Sequence, residues 1–124
     1  SKKETKGQKE AYGLMALSGK YRIKNKKEID RVFKGGRTVK GSFLFIKFID
    51  NQRTHSRFAL IVPSKYVSLA VDRNKAKRIL SQEITKIPEL LRKNYDIVLS
   101  VSKKTDRSEL KNLSKELREL NSRI

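Results

Sequence analysis

The sequence predicts an α+β fold, one small sandwich with the element order α-β-β-(β)-α-β-α. Three observations carry this. Apolar residues recur at intervals of three and four in some stretches and crowd into short β-branched or aromatic runs in others, the two periods of helix and strand. The 124 residues hold one domain comfortably and two only with difficulty. The hydrophobic share, 36%, is low but falls in those periodic runs, enough for a core that buries about two-thirds of the chain's surface.

Residues 1–20 mix Lys, Glu, Gly and Ser with little periodicity and read as a flexible basic arm ahead of a domain at 21–124. Met15-Ala-Leu-Ser-Gly-Lys20 opens like a natural start, which would make residues 1–14 an extension. Asn25 followed by Glu28 is a helix-start signal. Ile29, Val32 and Phe33 then mark one face of a short helix, and Gly35-Gly36 stops it. A short strand is possible near Thr38-Val39. Residues 43–49 form a strand with Phe43, Phe45, Lys47 and Ile49 on one face and Leu44, Ile46 and Phe48 on the other. Asn51-Gln52-Arg53-Thr54 is a polar turn, and Phe58 to Val62 is read as the hairpin partner of the preceding strand, ended by Pro63-Ser64. Residues 70–93 are helical, with Ala76, Ile79, Leu80, Ile84 and Ile87 in one stripe and a break or kink before Pro88. Asp96 to Val101 is a strand. Asp106 with Glu109 starts a last helix, carried by Leu110, Leu113, Leu117, Leu120 and Ile124.

Charge narrows the function. Lys and Arg number 31 against 13 Asp and Glu, a net of +18. The excess sits in residues 1–27, 34–58 and 65–93, while residues 106–124 are nearly balanced. Solubility needs far less charge, so the chain is built to meet a polyanion, with binding that falls steeply as salt rises. A membrane surface would want a basic helix with a wide apolar face and aromatic anchors, and the most basic helix here has a narrow aliphatic face and no aromatic residue. No apolar run reaches membrane-spanning length. Cysteine is absent, which excludes disulfides, thiolate zinc sites and cysteine nucleophiles. Nucleic acid is the remaining partner.

The segment Ala70-Val-Asp-Arg-Asn-Lys-Ala-Lys-Arg-Ile-Leu-Ser81 is the most informative. On a helix Arg73 and Lys77 lie one turn apart, as do Asn74 and Arg78, while Ala76, Ile79 and Leu80 face the core. Lys and Arg neutralise phosphates, and Asn donates and accepts at a sugar or base edge. Charge runs on helices are usually solvated faces, but no acidic residue interleaves between 73 and 82.

At these residues the chain resembles the protein subunit of bacterial ribonuclease P. Ala70-x-x-Arg73-Asn74-Lys75-x-Lys77-Arg78-x-Leu80 is similar to that family's signature. Tyr21-Arg22-Ile23-Lys24, Val32-Phe33-Lys34-Gly35-Gly36, Arg57 to Lys65 and Asp96-Ile97-Val98-Leu99 follow the family in order and spacing over roughly residues 20–120. The departures are Ala76 in place of a larger aliphatic, Ser81 in place of a base, Ile29 where Phe is common, and Pro63 and Tyr66 near positions often Ser and Lys.

The resemblance implies a left-handed β-α-β crossover, against the general right-handed rule. It implies a protein that binds the catalytic RNA subunit and the 5′ leader of precursor tRNA and so promotes hydrolytic removal of the leader, with magnesium held by the RNA subunit. Arg73, Asn74, Lys75, Lys77 and Arg78 would meet the RNA subunit. Phe33, Ile29, Phe45, Lys47 and Lys65 would line a cleft for the leader, whose varied sequence suits aromatic stacking above a basic floor. Core packing is an equally good account of Phe33 or Phe45 taken singly. Both strand faces are apolar, and Lys47 assigns its own face to the open cleft.

No catalytic or metal-binding residue is expected in the chain. His55, the only His, sits in a polar turn, and no carboxylate pair, Gly-rich phosphate loop or ligand cluster accompanies it. Two rival readings share the ribosomal-protein-like fold or the charge. A structural ribosomal protein would bind RNA without an open cleft. A DNA-binding regulator would want a helix-turn-helix pair or a dimer seam, for which only the Leu110-to-Ile124 series is a candidate, and packing on the sheet suits that helix better. The expected setting is a cytoplasmic monomer with no membrane or DNA partner.

Overall fold

The computed structural model describes residues 18–124. The arm expected over residues 1–20 lies, as far as residue 17, outside the described residues, and Gly19–Tyr21 form a 3-10 turn. The elements that follow are α1 (Lys26–Gly35), β1 (Arg37–Lys40), β2 (Leu44–Asp50), β3 (Arg57–Ile61), α2 (Ala70–Thr85), α3 (Pro88–Leu91), β4 (Tyr95–Val101) and α4 (Lys111–Leu120).

Local chemistry sets these boundaries. The Glu28 amide donates to Asn25 Oδ1 at 2.9 Å, capping α1. Gly36 ends α1 through close approach: a Cβ there would stand 2.5 Å from the Val32 carbonyl oxygen and 2.9 Å from that of Phe48. Pro88 opens α3, where its missing N–H costs nothing, and α2 has already stopped at Thr85. Asp106 and Glu109 form a reciprocal capping box before α4.

The sheet order is β1-β2-β4-β3. β1 and β2 pair antiparallel from Arg37↔Phe48 to Lys40↔Phe45, so the short strand near Thr38-Val39 is real and the hairpin is β1–β2. β3 is not the hairpin partner of β2. It runs parallel to β4, from Arg57↔Asp96 to Ile61↔Ser100, and β4 separates it from β2. The reason lies in β4, where Ile97, Val98 and Leu99 are all fully buried. A strand apolar on successive residues needs cover on both faces and belongs at the centre. The polar turn does not close a two-strand ladder either. Its Asn51 amide donates to the Asn94 carbonyl at 2.9 Å, and Ser56 Oγ donates to the Leu90 and Lys93 carbonyls at 2.8 and 2.6 Å. These bonds dock residues 51–56 on the loop before β4 and leave room for β4 in between.

The two sheet faces are covered unequally. Leu44, Ile46, Phe48, Phe58, Ile97, Leu99 and Val101 pack under α2 and α4, joined by Ala76, Leu80, Ile84, Leu110, Leu113, Leu117 and Leu120. The leucine series of α4 is therefore core and offers no dimer seam. Ile79 is only half-buried, at the margin of this core. The opposite face carries a smaller cluster in which Val32 and Ile29 of α1 and Ile23 meet Val98, Ala59, Ile49 and Ile61.

Candidate nucleic-acid interface

α1 crosses one end of the second face and is fixed there by buried charge. Arg57 grips Asp96 with both arms of its guanidinium, Nε to Oδ1 at 2.9 Å and Nη2 to Oδ2 at 2.7 Å. Its remaining Nη1 lies 3.2 Å from Glu28 of α1. Asn51 Nδ2 donates to Asp96 Oδ1 at 3.0 Å and to the His55 carbonyl at 3.1 Å. Asp96 is 0% exposed. Burial alone would raise its pKa. The hydrogen bonds from Arg57 and Asn51 and the charges of Arg57 and Arg31 outweigh that, and the carboxyl is held below its ordinary value.

The other end of this face is open. In register across it lie Lys47, Val98 and Ala59, then Phe45, Ser100 and Ile61. Phe45, Lys47, Ser100 and Ile61 are half-exposed. Helical geometry puts Ile29 and Phe33, one turn apart, on the flank of α1 that faces this opening, away from Arg31 and the Asp96 cluster. Phe33 is 37% exposed, high for a large apolar residue. Lys47 Nζ donates to the Gly36 carbonyl at 3.5 Å, so the lysine bridges strand and helix end across the floor. The expected cleft thus brings together Ile29, Phe33, Phe45 and Lys47. Lys65 follows the end of β3 in the chain and is exposed, with its ammonium 5.0 Å from the Tyr66 ring.

The cleft continues around the β3 edge. Ile23 pairs alongside that edge, its amide donating to the Phe58 carbonyl at 2.9 Å. A cavity of about 550 Å³ follows, lined by Ile29 and Ile61, by Arg22 and Lys24, and by Asn74 and Lys77 of α2. Sequence reasoning did not select Arg22 and Lys24 for the site. Their signal was the alternation of Arg22, Ile23 and Lys24, which in an extended segment turns both cations to the side opposite the buried Ile23. Arg22 Nε is buried and has no hydrogen-bond partner among the described residues.

On α2, Asn74 and Lys75 are exposed and Lys77 and Arg78 are half-buried on the outer flank. Arg73 behaves differently. Its Nη1 donates to the Val67 and Ser68 carbonyls at 3.0 and 2.8 Å, tying α2 to the preceding loop. His55 is more than a loop residue, because its Nε2 meets the Lys20 carbonyl at 2.9 Å and its ring stands edge-on to Tyr21 at 5.3 Å. Among the described residues no three His, Cys, Asp or Glu come together as a metal-ligand set.

Fold and site together define a small basic α+β protein with a sheet closed on one face, half open on the other, and a cationic helix beside the opening. The chain belongs to the ribonuclease P protein family, whose model, described as Ribonuclease P, matches residues 17–124. It is 34% identical over 83 residues to the ribonuclease P protein component of Syntrophomonas wolfei, covering 67% of this chain and 69% of that one. It is 33% identical over 81 residues to that of Acholeplasma laidlawii, covering 65% and 69%. Among solved structures, the ribonuclease P protein from Thermotoga maritima superposes with a TM-score of 0.72 at 25% identity, covering 83% of this chain and 96% of that one. The Staphylococcus aureus protein shares the fold, with a TM-score of 0.67 at 23% identity over 82% and 94%. Membership sets aside the ribosomal and DNA-binding readings.

Proposed function

We propose that this protein binds the ribonuclease P RNA subunit through α2 and the 5′ leader of precursor tRNA in the open cleft, and so promotes hydrolytic removal of the leader. One observation carries the reading: half of one sheet face is left uncovered in a chain of charge +18, with Phe33 exposed and Phe45 half-exposed on the side of Lys47. Core packing would have closed that face. Single-stranded RNA is held by stacking on aromatic rings with cations on the backbone, and stacking tolerates a leader of any sequence. Phe33 and Phe45 offer the rings, Lys47 and Lys65 the charge. Asn74, Lys75, Lys77 and Arg78 offer the RNA subunit a continuous polar and cationic flank.

The chemistry belongs to the RNA subunit and its magnesium in this reading. The chain contributes binding and orientation. The protein acts as a monomer in the cytoplasm. No helix among the described residues is long and apolar enough to cross a membrane.

The test is cleavage of 5′-labelled precursor tRNA at low magnesium by the RNA subunit alone, with this protein, and with Lys77→Ala/Arg78→Ala. Arg73 is left intact because it also ties the loop. Stimulation that requires the RNA subunit and drops at least several-fold in the variant is expected. Absence of stimulation at any salt overturns the reading, and cleavage by the protein alone overturns the placement of the chemistry.

A further inference from the structure

The flank of α1 turned away from the cleft carries a second cationic stripe that the proposed function leaves unused. Lys27, Arg31 and Lys34 follow one another at i, i+4 and i+7 and so lie along one side of the helix over roughly 10 Å. They wall a cavity of about 480 Å³ whose floor is Gly35 and Ile49. Gly35 places no side chain over Ile49; a Cβ there would stand 3.1 Å from Ile49 Cδ1. The one carboxylate lining the cavity, Asp30, lies 3.9 Å from Lys26. Arg31 is partly engaged, with Nη2 3.4 Å from the Asp50 carbonyl and 4.0 Å from Asp96. Lys27 and Lys34 have no ion-pair partner among the described residues.

We infer that this cavity is a second single-stranded RNA site, which takes a nucleotide of the leader after the strand has left the cleft and crossed α1. The inference rests on the leader-binding reading and extends it. Three features select a single strand over a duplex. The cations form one line, which the phosphates of one strand can follow. The floor between them is apolar and fits a ribose or an unstacked base, which a duplex keeps inside. The distance is short, because a strand on the open sheet needs to cross only the width of a helix, about 10 Å, to arrive. Arg31 is anchored on the sheet and sets the depth of the site, while Lys27 and Lys34 are free to close on phosphate.

The test uses the holoenzyme with Lys27→Gln/Lys34→Gln, both exposed positions, and precursor tRNAs whose leaders grow one nucleotide at a time. With the wild-type protein, affinity should climb with leader length and then level off. In the variant the climb should stop at a shorter leader. Long-leader affinity should fall about tenfold and depend less steeply on salt, and the shortest leaders should bind unchanged. Titration of the variant with the RNA subunit alone should match the wild type. An equal loss at every leader length, or a loss in the RNA-subunit titration, places the lysines on another RNA and overturns the inference. No loss at all overturns it too. If the wild-type protein itself gives no gain with leader length, the leader-binding reading fails first, and that result is distinct from the others.

Discussion

Asp96 shows how much one side chain can hold. It is fully buried, gripped by both arms of Arg57 and by Asn51, and through Arg57 it reaches Glu28 on α1. Removing Arg57 would leave a buried carboxylate without its hydrogen-bonded cation, with only Arg31 4.0 Å away, and Arg57→Ala should cost about 3 kcal/mol of stability in urea unfolding. The acid dependence follows from the direction of the Asp96 shift. The folded state holds this carboxyl below its ordinary value, so its contribution is complete above the unfolded pKa of about 3.9. It is lost as pH falls through the lower folded value. Urea midpoints should therefore drop through about pH 4 and below, and Asp96→Asn should be less stable at neutral pH and flatter in acid. A variant with an unchanged acid slope would show that the cluster does not control acid stability.

At the scale of elements, the unequal cover of the sheet separates stability from binding. Phe45 is half-exposed on the open face, while its neighbours Leu44 and Ile46 are buried. Phe45→Ala should thus weaken leader binding by about 1–3 kcal/mol, the worth of one stacked base, with little change in melting temperature. A large fall in melting temperature would assign the ring to the core. The helices were legible in the sequence because their signals are local: Asn25 with Glu28, Pro88, and Asp106 with Glu109 each act within one turn. The outer flank of α2 was legible for the same reason. The pairing of β3 was not, because its partner lies some forty residues ahead and nothing in Phe58 to Val62 names it. The tie from Arg73 to the preceding loop was not legible, because the carbonyls it holds belong to a segment without pattern. Arg22 and Lys24 joined the candidate site only in the folded chain, where they line one cavity with Asn74 and Lys77.

On the scale of the whole molecule, charge and topology pull in different directions. A net of +18 repels itself, and the chain offsets this by pairing several of its few carboxylates in place: Asp72 with Arg107, Glu83 with Arg118, Asp96 with Arg57. The central position of β4 has a consequence for assembly during synthesis. β1, β2 and β3 leave the ribosome first, yet neither β2 nor β3 can complete its pairing until residues 95–101 arrive between them. The sheet thus stays incomplete until most of the chain has been translated. A fragment ending at Asn94 should show no cooperative unfolding by circular dichroism, and a cooperative transition would mean that the first three strands find another arrangement. The half-open sheet face therefore forms late and all at once, when the last strand arrives and gives β2 and β3 their common partner.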